Sequence, residues 1–265
     1  MDYVKKIALA DQKERRNALL DILRDEGIPF AHYHQLHDGR YDDDWVENIV
    51  VSINPSDKRL VIGAHYDTYE GSSGANDNAS GVSILIRLAK VLLEKRNLSV
   101  DLVFFDFEEC GKSGSEKYIE SVGRQNISAM INLDVCGHGN CIVVYPKGNE
   151  TNSHFGNMLS PSMLQKHKVM LLDYMPKGDD ESFDNVNIPS IAICVYPASD
   201  AIAMQKLYED YVQTGAPLDI SEIFTKMEET LAVMSTMHNG ANDNIHSVSQ
   251  AAMDMVFAYL CETLT

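Results

Sequence analysis

Basic residues are scarce in this chain: 22 lysines and arginines stand against 39 aspartates and glutamates, a formal charge of −17 over 265 residues. A nucleic acid or an anionic membrane needs a cationic face, so neither is expected as a main partner. Apolar runs of membrane-crossing length are missing; the longest, such as 188–196, fall far short of the roughly 20 residues that a bilayer demands. The opening stretch MDYVKKIALADQKERR lacks the apolar segment and small-residue cleavage site of a signal peptide. A disulfide framework is also missing. The cysteines (Cys110, Cys136, Cys141, Cys194 and Cys261) are odd in number and irregular in spacing. Together these absences give a cytoplasmic expectation, under which the sequons at Asn78, Asn97 and Asn126 are chance matches. No internal repeat or low-complexity tract breaks the chain.

What is present is an alternation of strand-like and helix-like stretches. Residues 48–53, 60–65, 100–107, 128–134, 141–145 and 189–196 read as strands, several of them apolar along their whole length. Helical periodicity runs over 11–26, 80–95, 114–122, 152–168, 200–212, 219–236 and 249–263. Apolar strands alternating with helices predict an α/β fold: one globular domain over 1–265, with a mixed, mostly parallel central sheet covered by helices on both faces. Segment 197–236 is expected to be a helical insertion near the active site. In such sheets ligands bind beyond the carboxyl ends of the strands.

Several of those ends carry metal-binding chemistry. Strand 60–65 ends in His65, strand 100–107 runs into Glu108 and Glu109, and strand 128–134 ends in Asp134. A loop before the 80–95 helix, GANDNASG, adds Asp77. Imidazole and carboxylate are the donors zinc takes in catalytic sites. Each piece alone has a plainer reading. His65 followed by Asp67 could be surface decoration, Asp77 a helix cap, Glu108-Glu109 a solvated acidic pair and Asp134 a turn residue. Their order and joint placement at one sheet edge favour the metal reading.

The stretches GAHYDTY (63–69), GANDNASG (74–81), FFDFEECG (104–111), INLD (131–134) and MHNGANDNI (237–245) resemble the co-catalytic dizinc aminopeptidase family, which also includes glutamate carboxypeptidase-like enzymes and glutaminyl cyclases. The resemblance implies that His65 and Asp134 hold one metal, Glu109 and His238 the other, that Asp77 bridges them, and that Glu108 is the general base. It implies two divalent ions, zinc foremost with manganese or cobalt as substitutes, and peptide substrates. It also implies a cis peptide at Asp77–Asn78. Asp67, two residues beyond His65, is placed to orient the imidazole. Two stretches depart from the family pattern. Gly178-Asp179-Asp180-Glu181-Ser182-Phe183 has Asp180 where the family commonly has His, and Asp179, Asp180 and Phe183 are candidate substrate contacts. Asp243 follows His238 by five residues instead of four, and His246 competes with His238 as last ligand. His32, His34, His37, His138, His154 and His167 are assigned to surface or core.

These residues predict hydrolysis of peptides at a free amino terminus, with Glu108 moving the proton. The rivals are a carboxypeptidase, a small-amide deacylase or a glutaminyl cyclase on the same scaffold, and a binding module that has lost the metals. A carboxypeptidase needs a cation for the substrate carboxylate. Between residues 60 and 250 neither Arg87, expected on the solvent face of its helix, nor Arg124, which lies outside every motif, is placed for that task; Lys112 and Lys177 are the remaining candidates.

Overall fold

A computed structural model describes residues 1–36, 45–96, 98–215, 219–238 and 240–264. Among them the strands are β1 (Ala31–Leu36), β2 (Trp45–Ile53), β3 (Arg59–His65), β4 (Val100–Phe105), β5 (Ile127–Leu133), β6 (Cys141–Tyr145), β7 (Met170–Leu171) and β8 (Ser190–Tyr196). The helices are α1 (Asp2–Ile7), α2 (Gln12–Asp25), α3 (Ser80–Lys95), α4 (Ser113–Val122), α5 (Pro161–His167), α6 (Asp180–Asn185), α7 (Ala198–Gln213), α8 (Ile220–Thr230) and α9 (Gln250–Leu264). All the strands join one sheet in the order β1-β2-β4-β3-β5-β8-β6-β7. The central strands β4, β3, β5 and β8 run parallel, and β1, β2 and β6 supply the antiparallel pairings.

Period-2 alternation assigns the side chains to two faces. Ile62, Leu102, Phe104 and Ile131 point into one apolar cluster with α2, α3 and α9. Their neighbours Val61, Val103, Phe105 and Met130 point into another with Tyr118 and Ile119 of α4. Burial on both faces explains why these strands read as continuous apolar runs. A third cluster joins β6 and β8 to α7, α8 and the 3-10 turn Ala232–Thr236, and it contains Met175, Met204, Met227, Met234 and Met237. None of the described helices is long and apolar enough to cross a membrane.

The helix expected over 152–168 is the main local departure. Only Pro161–His167 is helical, and the segment before it is a succession of turns. Ser160 accepts the Met163 N–H and Pro161 occupies the first turn, which together start the helix there. Helices α1 and α6 and strands β1 and β7, too short or too polar to carry a periodic signal, are additional.

The chain passes from β3 through α3 to β4 on one side, and then crosses to β5 on the other side of β3. A switch point of this kind opens a crevice at the strands' carboxyl ends. His65, Asp134 and the loop after β4 all stand at that edge.

Candidate metal centre

His65 ends β3 and is almost wholly buried. Its Nε2 lies 3.1 Å from Asp77 Oδ1 and 3.4 Å from Asp134 Oδ1. One donor atom from each of these three residues lies within 4.8 Å of the others, close enough to share a cation. Asp77 reaches the group because the loop Ala75–Ala79 leaves helical geometry at Asp77 and Asn78, whose peptide bond is cis as the resemblance implied. Asn78 is itself buried, and its Nδ2 donates to Leu133 O at 2.8 Å, which ties this loop to the end of β5.

Asp67 stands on the far side of the imidazole, its Oδ1 3.3 Å from His65 Nδ1. The same carboxylate accepts the backbone N–H groups of Glu108 at 3.2 Å and Glu109 at 3.1 Å. One side chain therefore orients the ring and fixes the loop carrying the acidic pair.

The electrostatics are those of crowded carboxylates in low dielectric. Burial raises Glu108 well above the ordinary carboxylate range, with Asp179 and Asp134 adding to the effect. Burial and then the charge of Asp77 push Glu109 up to about 8. Asp134 is also raised by burial, against the pull of His65. For Asp77, His65 and His238 outweigh burial and lower its pKa. Burial alone would lower His65, but Asp134, Asp67 and Asp77 hold it well above its usual value.

The residues fit a divalent cation. His65 Nε2, Asp134 Oδ1 and Glu109 Oε1 are buried with no hydrogen-bond partner. Such atoms are costly to leave unpaired, and imidazole plus carboxylate oxygen is a zinc-type donor set.

The structure gathers three of the five expected ligands in that tight group. Glu109 and His238 stand outside it. His238 reaches the site through its backbone, whose N–H donates to Asp77 Oδ2 at 2.8 Å from a left-handed φ of 50°. Its ring centroid lies 5.9 Å from that of Phe224 and 6.3 Å from that of Tyr69. The competing His246 is exposed, and its N–H bonds to Asn244.

Beside the ligands opens a cleft of about 40 Å³, lined by Asp77, Glu108, Asp134 and His238 among others. Of the expected substrate contacts, Asp180 lines it, held by Lys147 and by Asn132 Nδ2. Asp179 is not among the residues that line it. It is fully buried, burial pushes its pKa up to about 8, and its charge acts on Glu108. Phe183 is also corrected: it packs edge-on against Phe105 in the core, because α6 turns its apolar side toward β4 and α4.

Arg87 is not on a solvent face; it lies over the Phe257 ring at 4.0 Å and pairs with Asp254 of α9. Arg124 lines a separate cavity with Lys58 and His154, around the starts of β3 and β5. Lys112 and Lys177 both pair with Glu181. Among the other histidines, His32 pairs with Glu47, His138 contacts Ser247 O, His167 pairs with Glu262 and His154 is exposed. His37 and Asn97 lie outside the described residues.

Two supports escaped the reading of the sequence. Arg15 of α2 is wholly buried and donates to four backbone oxygens: Tyr66 O, Ile7 O at 3.1 Å, Ser73 O at 2.8 Å and Gly74 O at 2.9 Å. Asp243 accepts from Asn76 N at 2.8 Å, Asp77 N at 3.3 Å and Ser72 Oγ at 2.7 Å. Both brace the 66–77 loop from distant parts of the chain. For Asp243 a signal existed in its spacing from His238.

Comparison with known proteins agrees with this geometry. Over 82 residues the chain is 34% identical to aminopeptidase YwaD of Bacillus subtilis, covering 29% of this chain and 18% of that protein. It thus spans a small part of the curated relatives it matches. In fold it resembles the glutaminyl cyclase of Porphyromonas gingivalis, with a TM-score of 0.71 at 18% identity over 99% of this chain and 95% of the other. It also resembles a zinc aminopeptidase from Bacillus subtilis, with a TM-score of 0.59 at 19% identity over 84% and 51% of the two chains. Residues 48–262, which hold every ligand candidate from His65 to His238, match the model of peptidase family M28, and the chain belongs to that family.

Proposed function

We propose that the protein is a zinc-dependent aminopeptidase that removes residues from the free amino termini of peptides. The observation that carries this reading is the convergence of His65, Asp77 and Asp134, with the unpartnered Glu109 Oε1 and the half-buried Glu108, at the sheet's switch point. His65 and Asp134 would hold one ion, Glu109 and His238 a second, and Asp77 both. Two divalent ions there, zinc or in its place manganese or cobalt, would supply Lewis acidity to a water and to the scissile carbonyl.

The chain's own groups carry the proton. Glu108 accepts it from the attacking water as the new C–O bond forms. It returns that proton to the departing amine nitrogen as the C–N bond breaks. Its raised proton affinity suits a group that must both take and give. Asp67 keeps the imidazole and the Glu108 backbone in register. An acidic cleft suits an α-ammonium group. The lysines that would hold a substrate carboxylate, Lys112 and Lys177, are already engaged by Glu181. The odd number and irregular spacing of the cysteines support a reducing compartment such as the cytoplasm.

A second reading, a glutaminyl cyclase, is favoured by one observation: the near end-to-end match to the Porphyromonas gingivalis enzyme. One experiment separates the two. Metal-loaded protein is given matched free and N-acetylated peptides and a peptide beginning with glutamine, with products read by mass. The aminopeptidase releases single residues from free peptides only. Loss of ammonia from the glutamine peptide without release of a residue would favour the cyclase, and cleavage of the acetylated peptide from its carboxyl end would overturn the aminopeptidase reading.

A further inference from the structure

The cleft beside the candidate ligands is lined by apolar side chains, Val135, Met175, Ala192, Cys194, Tyr196 and Met237, and by polar ones that include Asn132 and Asp180. Asn132 precedes Asp134 by two residues on β5, so the two side chains leave the same face of the strand end. Asn132 is 2% exposed.

The orientation of its amide follows from its neighbour. Asp180 pairs with the Lys147 ammonium and presents carboxylate oxygens, which accept, to its other neighbours. Asn132 must turn its Nδ2 to that carboxylate, and Nδ2 lies 3.1 Å from Asp180 Oδ1. This leaves Oδ1 of Asn132 as the free pole, buried and with no hydrogen-bond partner. A buried unpaired acceptor calls for a donor, and here the donor must come from whatever enters the cleft.

Gly178 packs its backbone directly against this amide. A Cβ at position 178 would lie 2.7 Å from Asn132 Nδ2, 3.2 Å from Asp180 Oδ1 and 3.3 Å from Asp134 Oδ2. Distances that short leave no room for a side chain, so the glycine lets the backbone close on the amide beside an expected metal ligand. The size of the cleft favours a small occupant. At about 40 Å³, against roughly 10–15 Å³ for one water-sized group, the cleft takes two or three heavy atoms.

We propose that this cleft selects a small, hydroxyl-bearing amino-terminal residue, serine or threonine, with Asn132 Oδ1 accepting its hydroxyl proton and Asp180, fixed by Lys147, setting the amide's orientation. The inference rests on the aminopeptidase reading. The methyl of threonine packs on the thioether and aliphatic walls. Alanine leaves the acceptor unpaired, and leucine or phenylalanine exceeds the space.

The test is a panel of free tripeptides X-Ala-Ala, with X being Gly, Ala, Ser, Thr, Leu, Phe or Lys, offered to the zinc-loaded protein. Serine and threonine are expected to exceed alanine in kcat/KM by about tenfold or more, and leucine and phenylalanine by about a hundredfold. Asn132→Ala should bring the ratio of serine to alanine in kcat/KM down to about one, with folding checked by thermal denaturation. If that variant does not fold, Gly178→Ala serves instead: a methyl group against the amide should depress serine and threonine far more than glycine. Preference for leucine or phenylalanine, or a serine advantage that survives both substitutions, overturns the specificity and leaves the aminopeptidase standing. Inactivity on every free peptide, with cyclisation of a glutamine peptide or cleavage of an acetylated one, overturns the underlying reading and this inference with it.

Discussion

The carboxylate of Asp67 accepts the backbone N–H of Glu109 at 3.1 Å while standing 3.3 Å from Nδ1 of His65. Two ligand-bearing loops, after β3 and after β4, are thereby held in one register. Groups that orient metal ligands in this way commonly account for about 10- to 100-fold in affinity or activity. Asp67→Ala is therefore expected to weaken zinc binding by about that factor and to lower kcat/KM as well, as measured by competition with a chelating dye and by peptide hydrolysis. Unchanged affinity would show that Asp67 does not position the ligands.

Glu108 and Glu109 are adjacent but should fail differently. Glu108→Gln keeps its metal, because Glu108 is not a proposed ligand, and loses about two to four orders of magnitude in turnover. Glu109→Gln removes one oxygen donor with its charge and should lose metal as well as activity. Elemental analysis beside kinetics reads both, and the reverse pattern would exchange the two roles.

His238 touches the group through its N–H to Asp77, whereas His246 is exposed. His238→Ala is expected to leave close to one tightly held ion per chain, and His246→Ala to leave two. Isothermal titration with zinc counts them. Metal loss confined to the His246 variant would transfer the last ligand there.

Without metal, the crowded carboxyls make stability depend on pH with a definite sign. Burial lifts Asp106 to about 7, and Glu109 and Asp179 to about 8, from ordinary values of 3.8 and 4.5. Between those limits the folded chain holds protons that the unfolded chain has released, so its stability falls as pH rises through the window. The raised His65 acts in the same sense. Chelated protein should melt at a lower temperature near pH 8 than near pH 5. Added zinc should shrink the difference by stabilising the ionised ligands. A melting temperature that climbs with pH in the metal-free protein would contradict this account.

Arg15 supplies donors to four carbonyl oxygens around the loop that leads to Asp77. Each buried carbonyl left unpaired costs about 1–3 kcal/mol. Arg15→Ala is expected to destabilise the fold by on the order of 3 kcal/mol or more in urea denaturation. A loss under about 0.5 kcal/mol, the range of ordinary surface substitutions, would mean that water replaces the guanidinium.

The candidate ligands were legible because they sit in short local patterns at strand ends. His65, Asp134 and the pair Glu108-Glu109 each follow an apolar strand, and alternation alone puts them at one edge. The roles of Asp179 and Phe183 were not legible. Both lie near α6, a helix of six residues whose period is too short to show which side faces the core. Arg15 and Asp243 were missed for another reason: Asp243 meets Asp77 across 166 residues and Arg15 meets Tyr66 across 51, and no local pattern encodes such pairings.

The sequence by itself determined the architecture and the chemistry of the centre. Apolar strands alternating with helices leave a doubly covered sheet as the way to bury both faces, and donor residues placed at strand ends must gather at the sheet's carboxyl edge. Only the tertiary structure decided how that chemistry is used. It brought the backbone N–H of His238 to Asp77, closed Asp179 and Phe183 away from the cleft, and left Asn132 with one free acceptor in a small space. Those outcomes depend on packing between segments far apart in the chain, where side-chain volume and the pairing of buried polar atoms, rather than local periodicity, select the arrangement.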